Sequence, residues 1–208
     1  MIKDLFSVPL YKETISISQD ETDFIFNYRN IDVKNKPENY NTNSQGNYGT
    51  YKSTVLEIPE LFNIKKQIEN HITRYSNEVL GLHLDYVRLN ITQSWINYND
   101  KDTSHHTHSH ANSIVSGVIY ITDNPADIIF YRSPRNTELE PPLKTLTLYN
   151  SDLYSVSIDR NDIILFPSNI MHGVDTNKDD HVRISLSFNT FYKGKLGKDT
   201  LKTYLEII

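Results

Sequence analysis

From residue 84 onward the sequence breaks into short β-rich runs, at 84–98, 113–122, 127–132, 143–149, 153–158, 162–166, 172–175 and 182–192. Turn-forming residues separate most of them: Asn99–Asp100, Asp123–Pro125, Pro141–Pro142, Asn150–Asp152 and Asp159–Asp162. Strands this short and this closely spaced bury their apolar sides only by pairing into a sandwich or a barrel. Upstream, Leu61, Ile64, Ile68, Ile72 and Tyr75 recur at helical spacing. That pattern predicts a helix over 59–80, with Pro59 in its first turn and Gly81 at its stop. The architecture expected is therefore mainly β (α+β), one helix packed beside a barrel.

The rest of the N-terminal part is less patterned. Leu5 to Ile17 alternates loosely and reads as a strand pair or a bent strand. Asp20 to Tyr28 reads as a short helix capped by Ser18 or Asp20, and Asn30 to Ser53 as a long loop. No internal repeat or linker divides the chain, so a single domain over 1–208 is expected from its 208 residues. The chain contains no cysteine, which removes disulfides, zinc–thiolate sites and Cys nucleophiles and suits a reducing compartment. A formal net charge of −5 with no basic run argues against nucleic-acid binding. No apolar stretch of signal-peptide or membrane-spanning length occurs, so a cytoplasmic protein without membrane contact is expected.

Four of the eight histidines fall in Ser104-His-His-Thr-His-Ser-His110. On a strand, His106, His108 and His110 would share one face, with His105 opposite. Two imidazoles at i and i+2 can reach one metal ion, and neutral imidazole suits iron, zinc, copper and nickel. A His-rich polar loop would look similar, but the β-patterned run Ile114-Val-Ser-Gly-Val-Ile-Tyr-Ile121 follows at once. A second signal lies in Asp162-Ile-Ile-Leu-Phe-Pro-Ser-Asn-Ile-Met-His-Gly-Val174, where an apolar strand turns at Pro167 and places His172 on the next strand. His108, His110 and His172 are the metal ligands expected. His106-x-His108 is an alternative register, and Asp102 or Asp123 could complete the shell.

Arg183-Ile-Ser-Leu-Ser-Phe188 alternates strictly, with Arg183, Ser185 and Ser187 on one face and Ile184, Leu186 and Phe188 on the other. An arginine pointing into a barrel needs a counter-charge. Either a structural acidic residue or a carboxylate ligand held bidentately would supply it.

In this order, His108-x-His110, His172 and Arg183-x-Ser185 resemble the iron- and 2-oxoglutarate-dependent oxygenases. More narrowly, the chain is similar to a 2-oxoglutarate/Fe(II) oxygenase family whose members carry His-x-His in place of His-x-Asp. The stretches that carry the likeness are Ser94-Trp-Ile-Asn97, His108-Ser-His-Ala-Asn-Ser113, Ser116-Gly-Val-Ile-Tyr120, Phe166-Pro-Ser168, His172-Gly-Val174 and Arg183-Ile-Ser-Leu-Ser-Phe-Asn189. Asn43-Ser-Gln-Gly-Asn-Tyr48 and the opening Leu5-Phe-Ser-Val-Pro9 are similar too, so the likeness covers nearly the whole chain.

The resemblance implies a double-stranded β-helix, the jelly-roll barrel that this superfamily shares with the cupins. It implies Fe(II), 2-oxoglutarate and O2 as cofactors and co-substrates, with the distal carboxylate of 2-oxoglutarate on Arg183 and Ser185. The reaction implied is oxidative decarboxylation to succinate and carbon dioxide coupled to oxidation, as by a hydroxylase, of a small molecule or protein side chain. No catalytic residue beyond the metal centre is implied. His106, Asn97 and Tyr120 are expected around the ligands as orienting groups. The missing carboxylate after His108 departs from the usual two-His, one-carboxylate triad.

Cupin-type metal enzymes that do not use 2-oxoglutarate share the barrel, and Pro167 to His172 has their spacing. Asn169 stands where they have glycine, and no glutamate follows His110. A non-catalytic metal-binding barrel is the third reading. The loops 30–53 and 134–142 are expected as lids, since specificity on such scaffolds sits in loops. Neither the substrate nor a choice between monomer and homodimer is written in the sequence.

Overall fold

The computed structural model describes residues 3, 7–37, 46–123, 126–132 and 142–208. In chain order the elements are β1 (Tyr11–Thr14), α1 (Gln19–Asp32), β2 (Tyr48–Gly49), α2 (Phe62–Glu78), β3 (Val87–Asn99), β4 (His105–His108), β5 (Val115–Tyr120), β6 (Ile128–Tyr131), β7 (Leu153–Val156), β8 (Asp162–Pro167), β9 (Met171–Val174), β10 (Arg183–Leu196) and β11 (Leu205–Ile207). Among the described residues the strands form two sheets. The larger has the order β1-β8-β5-β10-β3-β2, with β11 added to β10, and the smaller has the order β4-β9-β6-β7. From β3 to β10 the chain passes repeatedly between the two sheets, and every strand pair is antiparallel. This is the jelly roll, a double-stranded β-helix.

The helices form where the local chemistry dictates. Ser18 Oγ accepts from the Glu21 backbone N–H, and the Glu21 carboxylate accepts from the Ser18 backbone N–H. This capping box starts α1, which runs four residues past the expected end at Tyr28. Helix α2 buries Ile64, Ile68, Ile72 and Tyr75 against the outer face of the large sheet. Pro59 opens a 3-10 turn ahead of it, and Gly81 ends the segment at φ +61°. Among the described residues no helix is long and apolar enough to cross a membrane.

Two apolar clusters divide the molecule. The first lies outside the large sheet and joins α1 and α2 to Ile96, Tyr98, Ile119, Ile163, Leu165, Ile184, Leu186 and Phe188. The second lies between the sheets and joins Val118, Tyr120, Ile164 and Phe166 to Ile128, Phe130 and Val156. The clusters use alternate residues of the same strands, so strand register decides which side chains reach the inter-sheet space.

Four expectations change. The run 143–149 is not a strand. Thr147 N–H donates to Asn150 Oδ1 (2.7 Å), Asn150 Nδ2 to the Thr145 carbonyl (3.0 Å) and Tyr149 N–H to Thr147 Oγ1 (3.2 Å). These local bonds outcompete a ladder in spite of the apolar alternation. The expected loop 30–53 begins helically through Asn35 and ends in β2, which pairs with β3 at Tyr48–Tyr98 and Gly49–Asn97. The strand pair or bent strand expected over 5–17 reduces to β1 among its described residues, and β11, which pairs with the end of β10, has no counterpart among the runs read from the sequence. Finally, β4 pairs His105 with Val174 but His108 with His172, three residues against two, so one extra residue bulges. Strict alternation fails there, and His105 stacks on His108 (4.8 Å between ring centres) instead of facing away. The lid expected at 134–142 lies outside the described residues, apart from Pro142.

Gly117 shows how tightly the outer face is set. A Cβ there would sit 2.2 Å from the Phe188 ring and 2.7 Å from Leu165. Overpacking of this kind costs about 1–3 kcal/mol. Gly117→Ala is therefore expected to lower the stability of the purified protein by that amount in urea unfolding, whereas an unchanged midpoint would show that the ring has room to move.

Candidate metal centre

The inner face of the large sheet is polar along β10. Arg183, Ser185, Ser187 and Asn189 alternate inward, and their cross-strand neighbours on β5 are Tyr120 at Ser185, Val118 at Ser187 and Ser116 at Asn189. The opposing row of the small sheet runs His108, His172, Phe130 and Tyr154 in register across β4, β9, β6 and β7. His110 lies just past the end of β4. Its backbone N–H donates to the Ser168 carbonyl (2.9 Å), which turns the chain back toward the barrel.

His108, His110 and His172 come together, one ring nitrogen from each lying within 4.8 Å of the others. Their protonation follows from their partners. His108 Nδ1 lies 2.8 Å from the His106 carbonyl oxygen and His172 Nδ1 lies 2.9 Å from that of Ile170. A carbonyl oxygen only accepts, so both Nδ1 atoms carry hydrogen and both Nε2 atoms carry lone pairs. His110 Nδ1 faces Asn189 Oδ1 (2.6 Å) and Ser116 Oγ (2.7 Å). His108 Nε2 and His110 Nε2 face each other at 3.0 Å. Imidazole binds a divalent ion at about 2.1 Å, and two right-angle positions around such an ion are about 3.0 Å apart. The donor set thus fits a transition metal that accepts neutral nitrogen ligands and keeps positions open for other molecules.

Burial holds these rings neutral. Phe166 meets His172 edge-on (4.7 Å), Phe130 packs behind Phe166 (5.0 Å) and Trp95 meets the His110 ring edge-on (5.7 Å). Loss of solvent, reinforced by repulsion from the neighbouring imidazoles and only partly offset by the rings' own hydrogen bonds to Asn189 and Ile170, pushes His110 down to about 4 and His172 down to about 3. His108 is lowered for the same leading reason. His105, stacked beside them, is pushed down to about 3 by burial first and His108 next.

At the start of β10, Arg183 is 6% exposed. Its Nη1 donates to the Asp175 carbonyl (3.0 Å), and its Nη2 is buried with no partner. The Tyr120 hydroxyl is also buried and unpartnered, and burial raises its pKa. Ser185, in register with Tyr120, completes that wall. A buried guanidinium N–H and a phenol hydroxyl are both donors of the kind that carboxylate oxygens accept from.

Of the residues expected to orient the ligands, His106 acts through its carbonyl while its side chain is exposed. Asn97 does not reach an imidazole, because its amide donates to Ser187 Oγ (3.1 Å). Tyr120 sits with Arg183, not with the histidines. The side chains that hold His110 are Ser116 and Asn189, which the strand pattern places on the inner face but does not mark as imidazole partners. Asp102 and Asp123 are exposed at the surface, where they pair with Lys178 and Arg160.

Residues 93–189 match the family model described as Putative 2OG-Fe(II) oxygenase. No curated protein sequence matches the chain. Solved structures share its fold. A Pseudomonas putida prolyl-4-hydroxylase is 11% identical with a TM-score of 0.55, over 89% of this chain and 94% of that one. The non-heme α-ketoglutarate-dependent carbocyclase SnoK from nogalamycin biosynthesis is 12% identical with a TM-score of 0.60, over 88% of this chain and 80% of that one. Streptomyces hygroscopicus HygX with nickel, 2-oxoglutarate and hygromycin B bound is 10% identical with a TM-score of 0.55, over 88% and 82%.

The depressed imidazole pKa values set a pH dependence for the metal-free protein. In the unfolded chain these histidines titrate near 6.5, and in the fold His110 and His172 titrate near 4 and 3. Between those limits the unfolded state binds more protons, so stability is full above pH 6.5 and declines as pH falls. Thermal melts in chelator from pH 7.5 to 5 are expected to show a falling Tm, and a flat profile would contradict the neutral, desolvated triad.

Proposed function

We propose, from the match of residues 93–189 to a 2OG-Fe(II) oxygenase family model, that His108, His110 and His172 hold Fe(II) and that Arg183, Tyr120 and Ser185 hold 2-oxoglutarate. The whole of 1–208 is read as one oxygenase-like domain, because β1, α1, β2 and α2 all pack on the sheet that carries the site. The reaction consumes substrate, 2-oxoglutarate and O2 and yields hydroxylated substrate, succinate and carbon dioxide. The observation that carries this reading is the buried, unpartnered Nη2 of Arg183, on the inward face of β10, together with three converging imidazoles.

The chain's own residues have three tasks in this reaction. The imidazoles stay neutral because they are desolvated, and their Nδ1 hydrogens are given to protein oxygens, so each Nε2 is free without a prior proton loss. The guanidinium receives the distal carboxylate of 2-oxoglutarate, with the Tyr120 hydroxyl as second donor, so the bond-breaking end lies toward the histidines. Phe130, Phe166 and Trp95 keep water from the imidazoles. Iron, when bound, supplies the activation of O2 that couples decarboxylation to substrate oxidation.

The purified chain is expected to bind about one Fe(II), and His108→Ala or His172→Ala to abolish that binding, since three ligands leave none to spare. In anaerobic titration of the Fe(II) protein, 2-oxoglutarate is expected to give a visible charge-transfer band. Arg183→Ala keeps the iron but raises the dissociation constant about 30-fold or more, because a desolvated charge-assisted pair is worth on the order of 2–5 kcal/mol. Tyr120→Phe, which removes one neutral donor, costs about 1 kcal/mol, or roughly fivefold. No band and no succinate from the wild-type chain would end the oxygenase reading, and a band whose midpoint ignores Arg183→Ala would end the carboxylate assignment.

A further inference from the structure

His110 is held differently from the other two imidazoles. His108 and His172 lie on strands and give their Nδ1 hydrogens to backbone carbonyls two residues earlier. His110 lies beyond β4, and side chains alone receive its ring. Those side chains form a buried chain of bonds. Ser116 Oγ donates to Asn189 Oδ1 (2.8 Å) and lies 2.8 Å from Ser168 Oγ, which in turn donates to Ser113 Oγ (2.7 Å). Asn189 is 5% exposed, and Ser116 and Ser168 are fully buried. The unbroken β5–β10 register sets Asn189 opposite Ser116 on the inner face, while the β3–β10 ladder shifts between Asn189 and Thr190, with Thr92 the extra residue on β3.

An amide can face an imidazole in two ways. With Oδ1 toward His110, as here, it takes the Nδ1 hydrogen and leaves Nε2 bare. Asn189 Nδ2 then donates to Gln93 Oε1 (3.2 Å), which favours this orientation. With the amide reversed, an N–H would face Nδ1 and the ring hydrogen would move to Nε2. There it would point at His108 Nε2, 3.0 Å away, and close the site to a cation. Asn189 therefore decides which face of His110 is available.

We propose that Asn189, supported by Ser116, is the positioning residue that selects the metal-binding tautomer of His110. The inference rests on His110 being a ligand. It also accounts for a neutral amide at this point: a carboxylate would select the same tautomer but add a buried negative charge behind the ligand and make the imidazole a stronger donor.

The test uses the full chain and two variants, Asn189→Leu and Asn189→Asp, with Co(II) affinity measured by chelator competition and the Fe(III)/Fe(II) midpoint potential by redox titration. Asn189→Leu removes the acceptor and is expected to raise the Co(II) dissociation constant about 10–100-fold. Asn189→Asp keeps the acceptor and is expected to bind Co(II) at least as tightly as wild type. It should also favour Fe(III) about tenfold more, a potential lower by about 59 mV. Wild-type affinity in Asn189→Leu, or equal weakening in both variants with no change in potential, overturns the proposal. Should Asn189→Leu fail to fold, Ser116→Ala takes its place with a several-fold rise expected, and an unchanged constant there together with a weakened Asn189→Asp is the overturning result. None of these readouts involves 2-oxoglutarate. Absence of succinate formation would overturn the proposed activity and leave this inference standing, whereas a wild-type chain that binds no Co(II) overturns both.

Discussion

The register of β10 is the constraint on which the rest of the structure depends. Its odd-numbered residues from Arg183 to Asn189 face the inter-sheet space, and Ile184, Leu186 and Phe188 face the helices. A slip of one residue would put Arg183 into an apolar core and Phe188 into the site. Phe188 prevents that slip by lying over Gly117 on the neighbouring strand, where any side chain would collide with it. Packing on one face of the sheet thus fixes the chemistry on the other, and the helices that never touch the site hold it in register.

The inter-sheet space joins two incompatible demands. Phe130, Phe166 and Ile164 give cohesion to the barrel, yet they strip water from His172 and from the triad as a whole. Desolvation costs stability wherever a histidine would otherwise be protonated, and it is also what keeps the ring nitrogens available. The same trade appears at Arg183, whose buried charge keeps one N–H without a partner. Unsatisfied groups of this kind gather where a fold exchanges stability for binding.

Much of this was legible in the sequence, and for physical reasons. The alternation of Arg183-Ile-Ser-Leu-Ser-Phe188 reports a half-polar, half-apolar strand whatever the fold, and the Ile64, Ile68, Ile72 face of α2 reports its burial. His108, His110 and His172 stand out because histidine is rare enough for a cluster to carry information. The failures share one cause, namely bonds and pairings that periodicity does not see, some of them local and some between distant strands. Thr145, Thr147 and Asn150 bond their own backbone and undo a well-patterned strand at 143–149. A single bulged residue in β4 brings His105 beside His108. Asn97 satisfies itself on Ser187, and the role expected of it falls instead to Ser116 and Asn189. Those two are 6 and 79 residues from His110 in sequence, a pairing that only the β5–β10 ladder creates.

The charge around the proposed centre leads one step further. Three neutral imidazoles leave the full charge of a divalent ion uncompensated by the protein. The buried carboxylates among the described residues are engaged elsewhere: Glu21 in the α1 cap, Asp32 on Tyr48 and the backbone N–H groups of Tyr51 and Lys52, and Asp162 on Lys12 and Thr14. On the inward face of β10 stands another buried cation, Arg183, whose own charge is disfavoured by burial. Two positive charges in one desolvated space repel each other until a dianion bridges them. Under the proposed function a dicarboxylate held by the guanidinium of Arg183 would meet both charges. Binding of the metal and of the co-substrate is then coupled, each strengthening the other by the same factor. In a barrel with a carboxylate among its ligands part of that charge would already be met by the protein. Under the proposed function the co-substrate would carry it, so a neutral third ligand would make metal binding more dependent on the co-substrate.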